Sequence, residues 1–211
     1  SKQKDEEMTQ HTLQEPQHAL PVERHPLSPF LPEGCKLLML GSFPPAQKRW
    51  CMHFYYPNFI NDMWRIYGQV FFHDKEYFVD KERKTFRLDE LKPFLERIGV
   101  GIFDTATAVR RTTGTAADKD LEVVEATDLA ALLRRLPQCR AVVTTGQLAT
   151  NVLMTRFNIS QLPAVGQYVP FTFEDDGREM RLYRMPSSSR AYPMKLEAKA
   201  ERYEKMFKEV L

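Results

Sequence analysis

The chain has 211 residues, 43% of them hydrophobic and 27% charged, with a net charge of +2 and a pI near 8.4. That length and balance suit one domain with a substantial core, and a charge so close to neutral gives no bulk electrostatic argument for nucleic acid. The clearest apolar runs, 37–40 and 141–143, fall far short of the ~20 residues a membrane helix needs. Three cysteines, Cys35, Cys51 and Cys139, are widely spaced without a Cys-x-x-Cys pair, so neither a zinc ribbon nor an iron–sulfur cluster is indicated. The N-terminus is polar rather than leader-like, and the expected compartment is cytoplasmic.

In chain order, residues 1–20 carry no periodic apolar face and are expected to form a disordered or irregular arm. Residues 21–211 are left as one α/β domain. His11, His18 and His25 recur every seven residues, but Pro16 and Pro21 argue against a single helix presenting all three rings. Residues 21–34 are proline-rich and read as an extended lead-in over the domain surface. Residues 36–40 form the first buried strand, ended by Gly41. The loop from Gly41 to Trp64 holds three prolines, six aromatics before Trp64, and the close pair Asn58 and Asn61. Apolar residues at Ile60, Met63, Trp64 and Tyr67 predict a helix over 60–70, with Asn61 in its first turn.

Residues 72–89 are charged and read as an insertion with a short helix. Asp89 is expected to cap a helix over 90–98 that ends at Gly99, with Pro93 near its first turn. Residues 100–109 predict a second buried strand running into a basic loop, Arg110 to Gly114. Residues 118–127 are extended or a short turn. Asp128 caps a helix over 129–136, stopped by Pro137. A third strand at 140–145 precedes a helix at 147–157. Residues 169–173 and 179–184 flank Asp175-Asp176-Gly177 as a hairpin. A serine-rich loop, 185–193, leads into an amphipathic helix over 194–211, with Leu196, Tyr203, Met206, Phe207 and Val210 on its apolar face.

Strands alternating with helices predict a three-layer αβα sandwich around a mainly parallel sheet. The loops 41–61, 104–114 and 185–193 all follow strand ends, and open parallel sheets bind ligands at that edge. The first loop offers flat rings for stacking and two amides that read a base edge or hold a water. Its plainer reading is core packing for the rings and turn capping for the amides. Ser187, Ser188, Ser189 and Arg190 in the last loop suit phosphate contacts, although serine is also a common helix cap. A serine triad with His53 or His73 and Asp104 is possible on paper, yet no Gly-x-Ser-x-Gly elbow is present. Walker A and Gly-x-Gly-x-x-Gly patterns are absent too.

These residues resemble the uracil-DNA glycosylase superfamily, and within it the hypoxanthine-DNA glycosylase family. The family's Gly-Ser-Phe-Pro-Ser is similar to Gly41-Ser42-Phe43-Pro44-Pro45. Its Tyr-Tyr-Gly-His-Pro-x-Asn-x-Phe-Trp is similar to the segment from Tyr55 to Trp64. Gly101-Ile102-Phe103-Asp104 with the later Arg110 and Gly114, then Thr145-Gly146-Gln147-Leu148-Ala149, resemble its middle part. Pro186-Ser187-Ser188-Ser189-Arg190-Ala191 resembles its Pro-Ser-Thr-Ser-Pro-Ala loop. The likeness runs in order over roughly 36–195. Departures are Pro57-Asn58-Phe59 in place of Gly-His-Pro, Arg190 in place of a proline, and the charged segment 72–89. Mismatch-specific uracil-DNA glycosylases carry an asparagine within Gly-Ile-Asn-Pro, where this chain has Phe43.

The resemblance implies a monofunctional DNA glycosylase that flips uracil or hypoxanthine from damaged or mismatched DNA and hydrolyses its N-glycosidic bond. It implies Asn61 as the catalytic amide, with Asn58 as the backup. Gly41, Ser42, Phe43, Pro44, Phe54 and Tyr56 would form the base pocket, while Ser187, Ser188, Ser189 and Arg190 would contact DNA. No metal or organic cofactor is expected, no membrane, and a monomer. The alternative is a non-catalytic nucleic-acid-binding protein of the same fold.

Overall fold

The computed structural model describes residues 20–112 and 121–211. The arm expected at 1–20 (Leu20 apart), with His11 and His18, lies outside the described residues, as do Thr113 and Gly114 of the basic loop. Five strands form the central sheet: β2 (Leu37–Gly41), β5 (Val100–Asp104), β8 (Ala141–Thr144), β9 (Gln167–Phe173) and β10 (Arg178–Arg184). Their order is β5-β2-β8-β10-β9, with β9 alone antiparallel to its neighbour. Leu37, Leu38, Met39 and Leu40 are all buried, so both faces of β2 are covered. The expected layered α/β fold is the observed one.

Among the described residues five α-helices flank the sheet: α1 (Met63–Phe72), α2 (Leu88–Ile98), α3 (Leu129–Arg134), α4 (Gln147–Arg156) and α5 (Leu196–Val210). Helices α1, α2 and α5 pack through rings, with Phe71 at 5.0 Å from Phe94 and 5.1 Å from Phe207. Gly99 ends α2 with φ of 78°, a left-handed turn that costs glycine nothing. Asp128 caps α3 by accepting the Ala131 N–H at 3.0 Å.

Several expectations are corrected. Helix α1 begins at Met63, so Asn61 precedes it rather than sitting in its first turn. Asp89 lies inside α2, whose N-cap is Arg87, and Pro93 falls two residues deeper than expected. The segment 72–89 holds no helix beyond the end of α1 and the start of α2. It forms a hairpin, β3 (Val79–Asp80) with β4 (Thr85–Phe86), anchored by buried Phe78 and Phe86. Its charges mark solvent-facing positions, while the alternate aromatics face inward.

The strand expected over 100–109 is two strands. After Asp104 the chain leaves the main sheet, and β6 (Ala106–Arg111) joins a second, antiparallel sheet with β1 (Glu23–Arg24) and β7 (Leu121–Ala126). Arg110 and Arg111 are therefore strand residues, not part of the expected basic loop. Arg111 pairs with Glu23 at 2.7 Å and donates to the Pro44 carbonyl at 2.6 Å. The lead-in does more than lie over the surface. Phe30 exchanges both backbone bonds with Ile102, and the Tyr55 hydroxyl donates to the Ser28 carbonyl at 2.7 Å.

Candidate active-site cleft

A cleft of about 780 Å³ opens at the carboxyl ends of β2, β5, β8 and β10. The parallel register sets Gly41 beside Asp104, so two strand ends deliver the floor together. A Cβ on Gly41 would stand 2.8 Å from Asp104 Oδ1, too close without a shift. Glycine here lets a carboxylate oxygen sit over the backbone. The chain then turns at Thr105, whose N–H donates to the Gly41 carbonyl at 2.8 Å.

Of the residues expected in the site, Gly41, Ser42, Phe43, Pro44, Tyr56, Asn58, Asn61, Ser187, Ser188, Ser189 and Arg190 all line this cleft. Two of the three expected loops thus meet; of the middle one, Asp104 reaches the cleft and Arg110 and Arg111 do not. Phe54 does not line it either. Its ring is buried against Phe30, Tyr55 and Trp64, an ordinary core position. Phe43 is buried with Ala106 and Val109 and carries the Arg111 guanidinium 5.5 Å from its ring centroid.

Both asparagines cap turns and line the cleft at once. Asn61 Oδ1 accepts the Met63 N–H at 2.9 Å, satisfying one of the first donors of α1. Asn58 Oδ1 accepts the Ile60 N–H at 3.2 Å. That bond takes one lone pair of the Asn61 oxygen, so the amide still has its NH₂ and a second lone pair to offer a ligand. A turn closed from Asn61 N–H to the Asn58 carbonyl, 2.9 Å, puts Ile60 at its apex, 52% exposed at the cleft mouth.

Tyr56 adopts φ of 52°, a left-handed backbone rarely taken by an aromatic residue. Trp64 holds its ring edge-on at 5.8 Å. Burial, then the Asp104 charge, pushes the Tyr56 phenol above its ordinary pKa, against a hydrogen bond with Thr145. It remains a neutral hydroxyl at the cleft floor.

The wall carrying these groups is braced from outside. Arg65 donates to the carbonyls of Phe59 at 2.7 Å and Asn61 at 3.0 Å, with its guanidinium over Phe59 and Phe86. Thr85 in β4 donates to the Cys51 carbonyl at 2.9 Å. The charged hairpin is thus a buttress for the aromatic loop. Opposite, buried Lys199 from α5 binds Asp62 Oδ2 at 3.0 Å and the Ser189 carbonyl at 2.8 Å. The Asp62 N–H donates to the Ser188 carbonyl at 2.9 Å, which locks the serine loop to the start of α1. Ser187 and Ser189 hydroxyls each accept a backbone N–H two residues on, at 3.1 and 3.3 Å.

Sequence reasoning missed two residues that the fold makes central. Lys199 occupies the core-facing stripe of α5, a spacing that marks it in hindsight. His25 comes from the lead-in, and its Nε2 lies 2.7 Å from Asp104 Oδ2. No serine triad is assembled: the histidine on Asp104 is His25, whose Nδ1 accepts the Leu27 N–H at 3.1 Å, whereas His53 and His73 are exposed. Among the described residues no helix is long and apolar enough to cross a membrane.

No protein-family model matches the chain, and no curated protein matches it. Among solved structures, the chain is similar to an NMR structure from Methanosarcina acetivorans described as a putative uracil DNA glycosylase. The two share 20% identity and a TM-score of 0.58 over 89% of this chain and 99% of that one. What that likeness establishes is a shared fold, an α/β sandwich with a mostly parallel sheet.

Proposed function

We propose that this protein is a DNA glycosylase that flips a deaminated base, uracil or hypoxanthine, and hydrolyses its N-glycosidic bond. The observation carrying this reading is the convergence of Tyr56, Asn61 and Asp104 with the serine loop in one cleft at the parallel-sheet edge. A base inside a duplex is out of reach, and extrusion costs a few kcal/mol, least at a mismatch. Arg49, Arg184 and Arg190 line the cleft and supply cations for phosphates that the near-neutral chain lacks in bulk. The Ser187 and Ser189 turns give the flanking backbone further hydroxyl contacts. Ile60 and Arg190, both exposed at the mouth, are placed to fill the gap left in the stack.

Chemistry follows from where charge develops. The sugar becomes oxocarbenium-like and the leaving base becomes anionic, so the site needs aimed dipoles and a placed water. Asn61 and the Tyr56 hydroxyl donate toward the leaving base or the water. Asp104 is acceptor-only when ionised. Deamination turns the ring nitrogen of cytosine or adenine from an acceptor into an N–H donor, and a carboxylate on the cleft floor answers that change. The same negative charge favours the cationic sugar. Stacking falls to Tyr56 and Phe43, since Phe54 is withdrawn into the core. No step needs a metal or organic cofactor.

The test uses oligonucleotides carrying uracil, hypoxanthine or xanthine, single-stranded and opposite each base, with cytosine and adenine strands as controls. Alkali then cleaves abasic sites. Product from the deaminated strands alone is expected; no product from any strand at enzyme excess overturns the proposal. DNA binding with a steep salt dependence but no base release would instead mark a non-catalytic binder of the same fold.

A further inference from the structure

The cleft-lining Asp104 is held by a residue outside the βα scaffold. His25 belongs to the lead-in, anchored where β1 pairs with β6 and where the His25 N–H donates to the Thr107 carbonyl at 2.8 Å. Its side chain is 3% exposed and boxed by Phe103 at 4.7 Å, Phe43 at 5.2 Å and Tyr55 at 6.0 Å. Because Nδ1 accepts from Leu27, the ring proton sits on Nε2 and is donated to Asp104 Oδ2. Both ring nitrogens are committed, so His25 has no proton to exchange with a substrate. One Asp104 oxygen is fixed by it; the other, Oδ1, lies over Gly41, and both residues line the cleft.

We infer that His25 is a positioning residue: the N-terminal lead-in completes the active site by locking the Asp104 carboxylate so that a single acceptor, Oδ1, faces the flipped nucleotide. This rests on the glycosylase reading and goes beyond it. A carboxylate turns about its terminal bond with little resistance, and without a donor on Oδ2 it would present either oxygen at variable angles. Misplacement of a reacting-site group by an ångström costs on the order of 100-fold in rate. The lead-in is then a functional part of the domain, not a packing strip across the edge of β5.

The experiment is single-turnover excision by the full chain, with DNA affinity and thermal unfolding measured alongside. His25→Phe fills the aromatic box but removes the donor; excision is expected to fall roughly 10- to 100-fold with DNA affinity unchanged. His25→Gln keeps an N–H near the Nε2 position and should recover all but about threefold of the rate, by the same geometric argument. In an Asp104→Asn background, His25→Phe should add no further loss, since its effect passes through that carboxylate. Undiminished excision by His25→Phe overturns the inference while leaving the glycosylase reading intact. So do equal losses in the Phe and Gln variants that add fully to Asp104→Asn, which would mark mere packing. A wild-type chain that releases no base overturns the reading and the inference together.

Discussion

Two buried carboxylates, Asp104 in the cleft lining and Asp62 behind its wall, are each tied to a distant segment by a basic side chain, and their remaining oxygens differ. Asp104 gives Oδ2 to His25 and keeps Oδ1 over the floor at Gly41. Asp62 spends both: Oδ2 binds Lys199 at 3.0 Å and Oδ1 faces Arg190 at 3.6 Å. The first pair leaves an acceptor over the cleft floor, the one the proposed reaction uses. The second consumes its acceptors in joining α1, the serine loop and α5. A buried carboxylate near a cleft is therefore a functional group or a fastener according to what its second oxygen does.

The sharpest way to break this comparison is to remove one cation. Lys199→Met leaves Asp62 buried with only a half-exposed arginine beside it, and losing one partner of a buried pair costs about 3–5 kcal/mol. Denaturant unfolding should show that loss; a change under about 1 kcal/mol, the scale of surface pairs, would deny the fastening role. Asp104→Ala should invert the pattern, with excision falling roughly 100- to 1000-fold as for loss of one aimed polar group. Its stability cost should stay near the ~1–3 kcal/mol of one unsatisfied donor, here on His25.

Asn61 sharpens the same distinction between donor and acceptor. If it acts through its NH₂, Asn61→Asp should be as impaired as Asn61→Ala, about 100-fold in excision. A functional Asn61→Asp variant would instead assign the oxygen. Arg190→Ala should cost under ~1 kcal/mol of stability, because its ion pair is half exposed. Its effect belongs in the salt dependence of DNA binding, where the slope should drop by about one.

The smallest effect is on titration. Burial, with help from Asp104, pushes Tyr55 and Tyr56 above the ordinary tyrosine value; Tyr67 and Tyr203 are raised mainly by burial. Raised folded-state values mean stability is full below about pH 10 and lost as pH climbs through them. Asp104→Asn removes a negative charge, so two phenols should ionise earlier by tyrosinate absorbance, while Asp62→Asn should leave them in place.

Much of this architecture was legible locally. The apolar runs at β2 and β8, the stop at Gly99, the Asp128 cap and the turn at Gly177 are each set by residues within a few positions of one another. Those strands fixed the parallel edge, and the edge gathered the loops at 41–61 and 185–193. Local pattern failed where a residue's role depends on distant packing. Phe54 reads the same as Phe43 in sequence, yet one ring is enclosed by Phe30 and Trp64 while the other borders the cleft. The charged hairpin at 79–86 misled because its charges hide the inward Phe78 and Phe86.

By itself, then, the sequence determined most strands and helices of the main sheet, and that its parallel strands share a carboxyl edge. Only the tertiary structure decided which ring is withdrawn from the cleft and which distant side chains hold its carboxylates. His25 meets Asp104 across 79 residues and Lys199 meets Asp62 across 137. Periodicity reports neighbours along one element, whereas a buried charge finds its partner through the packing of the whole domain.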